Sequence, residues 1–372
     1  MVQQATTPPW LQRHKEMLKL VETVKKLKTI YIYTSDEIIS IVGERYRRLR
    51  PRRPGPRGRI EFELKRLETV YNVARSRLQA ALQMPRLNDM SSFHRALVES
   101  FVGAEEYENA LARIRNAVRL MKSFWDEYRL LIVSSNDPRE AAQLRRKGSG
   151  RILSLVRRRR RDLELLRRVR EELLKTHVIS EGLPVVVVAG IPSAGKSTLV
   201  SRLSTAEPEI AAYPFTTKNV IVGKVEGYPS FYIVDTPGIL ERKSEYHNEI
   251  ERKALAALKT LPDIVLFLID PSMEKIQSID EQLDLLADVL ETIVRPWNRG
   301  LIIALNKHDI APREEVKRAI SGALEVVRAK KLEDRLCGEP IPISASTGEG
   351  LGKLMETTRT CLKRYATWLF AK

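Results

Sequence analysis

The stretch GIPSAGKST (residues 190–198) lies between the apolar run LPVVVVA and the segment LVSRLS. Gly, four residues, then Gly-Lys-Ser is the spacing of a loop whose backbone N–H groups wrap a phosphate at the start of a helix. The loop requires a strand on one side and a helix on the other, and the sequence supplies both patterns. Few constraints on a fold are tighter. From residue 183 onward, apolar runs alternate with amphipathic stretches: LPVVVVAG, NVIVGKVEG, SFYIVDTPG, DIVLFLID, LIIALNKHD and PIPISAS. Four of these are nearly continuous apolar runs, as parallel strands covered by helices on both faces require. The expected fold class is an α/β P-loop domain with a mostly parallel sheet, over about 182–365.

The chemistry of the loop assigns its residues. Gly190 and Gly195 allow close approach of the backbone, with Pro192, Ser193 and Ala194 between them and Thr198 just after. Lys196 is placed to reach the β- and γ-phosphates, and the Ser197 hydroxyl to ligate Mg²⁺. Asp235-Thr236-Pro237-Gly238 closes the strand FYIVD, which fits Asp235 for holding Mg²⁺ through water and the Gly238 N–H for sensing a γ-phosphate. Between these motifs, AAYPFTTKNVIVG carries the threonine expected to close over Mg²⁺ and γ-phosphate, Thr217 first and Thr216 second. Lys196, Thr217 and Gly238 are therefore the candidate catalytic groups, and Ser197, Thr217 and Asp235 the candidate metal ligands.

The base is named by Asn306-Lys307-His308-Asp309 at another strand end. Guanine offers two neighbouring N–H donors that one carboxylate accepts together, and adenine does not. Asp309 thus selects GTP and GDP, with Asn306 at the polar edge of the base and Lys307 over its ring. Ser344-Ala345-Ser346 closes the last strand and is placed to give a backbone N–H to the guanine O6. Four motifs in order, each ending its own strand, imply a guanine-nucleotide site.

Together GIPSAGKST, YPFTTKNVIVG, DTPGIL and NKHD resemble the Obg-like branch of translation-factor-related GTPases. Within it they are most similar to the Nog family, GTPases of large-ribosomal-subunit assembly, in its shorter archaeal form. The specific resemblance covers about 180–365; the N-terminal half is similar in character rather than motif. Two positions depart from the pattern. Ser193 stands where many relatives carry an Asn that helps hold potassium, which puts K⁺ stimulation in doubt. Ile239 follows DTPG where Ras-like proteins place a water-orienting Gln, so intrinsic hydrolysis is expected to be slow.

The charge is unevenly placed. Residues 1–180 hold 39 Lys and Arg against 21 Asp and Glu, a net +18, whereas residues 181–372 are net −1. A field of one sign and that size calls for an anionic partner. Helical patterns cover about 10–30, 36–49, 60–83, 91–102, 104–133 and 150–176, the second opening on a capping box, Thr34 to Glu37. An all-α basic bundle over 1–175 is the expected first domain.

Two stretches exceed what a bundle needs. PRRPGPRGR (51–59) reads as a loop between helices, exposing Arg52, Arg53, Arg57 and Arg59. Arg157, Arg158, Arg159, Arg160 and Arg161 interrupt an apolar stripe, and five residues exceed one helical turn, so some of them must lie on the would-be buried face: either the helix projects beyond its bundle there or the turn lies against an anion. Arginine forks suit phosphates, and the resemblance implies a ribosomal particle, so ribosomal RNA of the large subunit or its precursor is the expected partner. A factor acting on mature ribosomes, and a protein- or membrane-binding stalk, are the competing readings; no helix pairs a basic face with the broad aromatic and leucine face that a membrane surface takes. A monomer in a reducing cytoplasm is expected from the missing signal peptide, the lack of any apolar run of about 20 residues, and two cysteines, Cys337 and Cys361, that share no metal or redox spacing.

Overall fold

The computed structural model describes residues 9–176, 182–214, 219–236, 240–241 and 249–366. Among the described residues seven α-helices come first: α1 (Pro9–Thr29), α2 (Ser35–Arg47), α3 (Gly55–Ala81), α4 (Ser92–Phe101), α5 (Ala104–Ser134), α6 (Pro138–Arg158) and α7 (Arg160–Leu174). The capping box opens α2 as expected: the Glu37 N–H donates to Thr34 Oγ1 (3.2 Å) and the Thr34 N–H to the Glu37 carboxylate (2.7 Å). The described chain forms two compact units. One comprises Lys25–Asp89 and Val102–Leu174; the other takes in the described residues of Met1–Val24, Met90–Phe101 and Lys175–Lys372. Helix α4 and most of α1 therefore group with the C-terminal half, unlike the contiguous 1–175 and 182–365 division.

In the helical unit α3, α5 and α6 pack on one another. Leu67, Val70, Tyr71, Ala74 and Leu78 of the α3 stripe are buried, and Tyr71 stacks on Trp125 at 5.2 Å. Gly148 lets α6 close on α5, since a Cβ there would press into the Tyr128 ring. Two sequence expectations are corrected in this unit. The 51–59 segment is not all loop: α3 begins at Gly55, with Pro56 in its first turn, where a fixed φ and a missing N–H cost nothing. The 150–176 helix is two helices, because α6 ends at Arg158, its cap residue Arg159 (φ −95°, ψ 9°) leaves helical geometry, and α7 starts at the next residue. That break resolves the conflict in the arginine run. It re-phases the stripe so that Ile152, Leu155 and Val156 before it and Leu163, Leu166 and Val169 after it are all buried. Arg157, Arg158, Arg160 and Arg161 stay exposed and Arg159 half-buried.

The second unit is built on seven strands: β1 (Val185–Ala189), β2 (Glu209–Ala212), β3 (Asn219–Val225), β4 (Phe231–Asp235), β5 (Ile264–Ile269), β6 (Gly300–Leu305) and β7 (Ile341–Pro342). Their order is β2-β3-β4-β1-β5-β6-β7, with β2 and β3 antiparallel to their neighbours and the rest parallel. Every residue of β1, β4, β5 and β6 is buried, as the continuous apolar runs required. Around the sheet lie α8 (Lys196–Leu203), α9 (Glu249–Leu258), α10 (Ile279–Val289), the short α11 (Arg295–Trp297) reached through a π-helical turn, α12 (Arg313–Ala329) and α13 (Leu351–Tyr365). Among the described residues no helix is long and apolar enough to cross a membrane.

Asp263 ties the strand starts together. Its buried carboxylate accepts from the Val185 N–H (2.9 Å) and pairs with Arg13 of α1 (2.8 Å), while its carbonyl accepts from Gly300 N–H. Arg299 lies beside this pair; burial first, then the Arg13 charge, lowers its pKa to about 9. Cys337 and Cys361, which share no metal or redox spacing in the sequence, form a disulfide with Cα atoms 5.6 Å apart. The segment ending at Leu336 bridges to Leu301 of β6, on which α13 packs, so the topology brings the two together across 24 residues. That pairing removes the cysteine-based ground for a reducing interior.

Helix α4 carries a buried histidine. The His94 ring shares hydrogen bonds with Ser91 Oγ (3.2 Å) and Thr176 Oγ1 (2.9 Å), and the neighbouring Phe93 meets Tyr213 edge-on. Burial lowers the His94 pKa from 6.5 to about 3. The unfolded chain therefore binds a proton below pH 6.5 that the folded chain refuses until about pH 3, so stability is full above that window and falls as pH drops through it. Between pH 8 and pH 5 the wild type is expected to lose about 2 kcal/mol more than His94→Gln in urea unfolding. Equal losses would contradict a neutral buried ring.

Candidate nucleotide-binding site

The parallel strands all end on one edge of the sheet, and the motif residues collect there. After β1, Gly190 starts a loop in which Ser193 (φ 62°) and Gly195 (φ 90°) take left-handed conformations, before Lys196 opens α8. A loop with left-handed turns that leads into a helix N-terminus is the backbone arrangement suited to anions. Lys196 is buried, with Nζ held by the Ile191 carbonyl (2.8 Å) and the Glu241 carboxylate (2.8 Å). Pro192, Ser193, Ser197 and Thr198 are exposed or half-buried and Ala194 is buried.

Asp235 ends β4 next to this loop, paired in register with Val188 of β1. Its Oδ2 accepts from Ser197 Oγ at 2.6 Å, and its Oδ1, like Thr236 Oγ1, is buried with no hydrogen-bond partner among the described residues. Burial raises the Asp235 pKa against the lowering effects of Ser197 and Lys196. A hydroxyl and a carboxylate with an unspent oxygen are the hard donors that Mg²⁺ takes. The Thr216, Thr217, Gly238 and Ile239 positions lie outside the described residues.

On the other side of the loop, Asn306 caps β6. Its amide Nδ2 donates to the Ala194 carbonyl (2.8 Å) and its Oδ1 accepts from the Ala345 N–H (2.9 Å). Expected at the polar edge of the base, the Asn306 amide is thus engaged at both ends by backbone, stapling the phosphate loop to the 344–346 loop. Gly195 permits the staple, since a Cβ there would run into Asn306 Nδ2. Lys307 (φ 58°) pairs with Asp270, and Asp309 sits exposed in the 3₁₀ turn His308–Ile310. Ser344 Oγ meets Ser346 Oγ at 3.0 Å and accepts from the Thr347 N–H, which closes the last loop on itself.

Sequence reasoning missed three groups here: Glu241 on Lys196, Asp270 on Lys307, and the orphaned Thr236 hydroxyl. The first two were signalled only by acids standing just past DTPGIL and at the end of the apolar run DIVLFLID.

A phosphate loop, an Asp–Ser pair and an NKHD turn at the carboxyl edge of one sheet define a P-loop GTPase. Family models agree in both halves: the NOG1 N-terminal helical domain matches residues 23–180, and a 50S ribosome-binding GTPase model matches 185–307. The chain belongs to the Nog family. An uncharacterized protein of Methanocaldococcus jannaschii is 32% identical over 253 residues, covering 68% of this chain and 70% of that one. Nucleolar GTP-binding protein 1 of Caenorhabditis elegans is 29% identical, covering 85% of this chain and 45% of its own length; the Dictyostelium discoideum protein is 28% identical, covering 88% and 49%. The chain thus spans about half the length of these nucleolar relatives or less. A Plasmodium falciparum structure of the same name shares 25% identity at a TM-score of 0.41, over 49% of this chain and 87% of that one.

Two substitutions separate the staple from the carboxylate expected to read the base. Asn306→Ala strips a partner from the Ala345 N–H and frees two loops, and is expected to weaken GDP and IDP binding alike, by about 100-fold. Asp309→Asn is expected to weaken GDP more than IDP, which lacks the N2 donors. Titrations that showed the reverse pattern would contradict both assignments.

Proposed function

We propose that this GTPase is a molecular switch of large-ribosomal-subunit assembly, with the 182–365 domain binding GTP and the basic 1–175 domain docking on ribosomal RNA. Ser197 and Asp235 are proposed to hold Mg²⁺, joined by Thr217 in the triphosphate form, while Lys196 and the Gly238 N–H act on the γ-phosphate. Asp309 selects guanine. Ser193 offers only a short hydroxyl where many members of the family carry an Asn that helps hold potassium, which leaves K⁺ stimulation in doubt.

One observation carries the RNA reading. Of the nine arginines assigned to it, Arg53, Arg159 and Arg160 already pair with Glu61, Asp162, and Glu164 with Asp36. Among the described residues, Arg52, Arg57, Arg59, Arg157, Arg158 and Arg161 carry no such pair, and the α6–α7 break keeps the last three out of the core. Unpaired guanidinium forks on a unit with excess positive charge suit a phosphate surface. Relatives named as nucleolar, and a matching model named for 50S ribosome binding, point to the same kind of partner.

Changing Arg157, Arg158 and Arg161 together to Ala is expected to weaken binding to purified large-subunit RNA. The log–log salt slope should become shallower by roughly 0.7–0.9 for each phosphate that the protein no longer neutralises. GDP affinity should stay the same. An unchanged slope and affinity would remove this segment from the interface, and equal binding of GDP and GTP forms to large subunits would remove the switch.

A further inference from the structure

The Lys307–Asp270 pair has no place in the motifs that identify the site. Asp270 follows β5, beside the NKHD turn: the Asn306 N–H donates to the Ile269 carbonyl (2.8 Å), so the ends of β5 and β6 are hydrogen-bonded neighbours. The Asp270 side chain is 1% exposed. A carboxylate so buried requires a counter-charge and hydrogen bonds, and it has both. Oδ1 accepts from the Ser272 N–H (2.9 Å) and Oδ2 meets Lys307 Nζ at 2.6 Å.

Its backbone is equally fixed. Fully buried Gln282 of α10 accepts from the Asp270 N–H (2.8 Å) and donates to the Asp270 carbonyl (2.9 Å). The anchor is therefore tied by hydrogen bonds through both main chain and side chain. At its other end Lys307 leaves the chain in the left-handed region, directly after the Asn306 staple. With both ends held, the methylene stem spans from the end of β6 to the end of β5, on the strand next to β1 and its phosphate loop.

We propose that Asp270 is a positioning residue for the guanine ring: it pins the Lys307 ammonium so that the lysine stem stands as a preformed wall for the purine. This rests on the reading that Lys307 packs over the base. A free lysine side chain is among the most mobile, and ordering it on nucleotide binding costs affinity. Pinning it beforehand removes that cost for any purine nucleotide, whatever its substituents. Discrimination between guanine and its analogues remains with Asp309.

The test is a set of nucleotide titrations on the full chain with Asp270→Ala, Lys307→Ala and the double variant. Asp270→Ala is expected to weaken GDP and IDP by the same factor, about tenfold, leaving the GDP/IDP ratio and kcat at saturating GTP unchanged. Lys307→Ala should weaken both nucleotides, and adding Asp270→Ala to it should cost nothing more. Asp270→Asn keeps an acceptor for the Ser272 N–H and removes the charge; a smaller common loss is expected, again absent on the Lys307→Ala background. That variant carries the test should Asp270→Ala not fold. Additive losses in the cycle, a shifted GDP/IDP ratio, or a fall in kcat would overturn the proposal, since a general collapse of the site would produce them. Unchanged affinity in Lys307→Ala would remove the base reading and the proposal with it; a loss there with none in either Asp270 variant would overturn the proposal alone.

Discussion

One side-chain amide makes this nucleotide site a single object. Asn306 stands at the end of β6, more than a hundred residues from the phosphate loop, and its two amide atoms reach Ala194 on one side and Ala345 on the other. Each bond contributes about 1 kcal/mol net, but losing the amide would leave buried backbone groups unpaired at about 1–3 kcal/mol each. The staple therefore fixes the spacing between the loop suited to phosphates and the loops suited to a base. Gly195 is its necessary complement: the approach of the two elements leaves no room for a side chain, and the φ of 90° disfavours one.

The opposite edge of the same sheet is held with comparable economy. Asp263 joins the starts of β1 and β6 and takes the Arg13 guanidinium, which also donates to the Thr260 carbonyl. Removing one partner of such a buried pair leaves an uncompensated charge, worth several kcal/mol. The start of α1 is thus anchored under the strands whose far ends carry the nucleotide motifs. In the helical unit, the corresponding decision is the one-residue break at Arg159. It allows two amphipathic helices to bury their stripes while the arginines between them remain in solvent.

Much of this architecture is legible in the amino-acid sequence. Continuous apolar runs announce β1, β4, β5 and β6, because strands covered on both faces have no polar side to show. The phosphate loop, DTPG, NKHD and the Thr34 cap are local patterns, and local patterns survive in a linear reading. What escapes is non-local or carried by weak signals. Edge strand β2 alternates poorly and has a single buried residue. The start of α6 hides behind Gly148 and Gly150, although Asp137 caps it and Pro138 opens it. The Cys337–Cys361 pairing and the Asp270–Lys307 contact depend on which strands lie side by side, and spacing in sequence does not encode that. Asn306 is identifiable from its motif, but its work is not, since only the fold shows that both ends of its amide are taken.

The claim on which the rest hangs is that these loops form one magnesium-dependent pocket for guanine nucleotides. Calorimetric titration of the purified chain with GDP and with ADP, in the presence of Mg²⁺, addresses it directly. One GDP site per chain is expected, with no ADP binding at concentrations that saturate with GDP. Comparable affinity for the two nucleotides, or no heat with either, would contradict it.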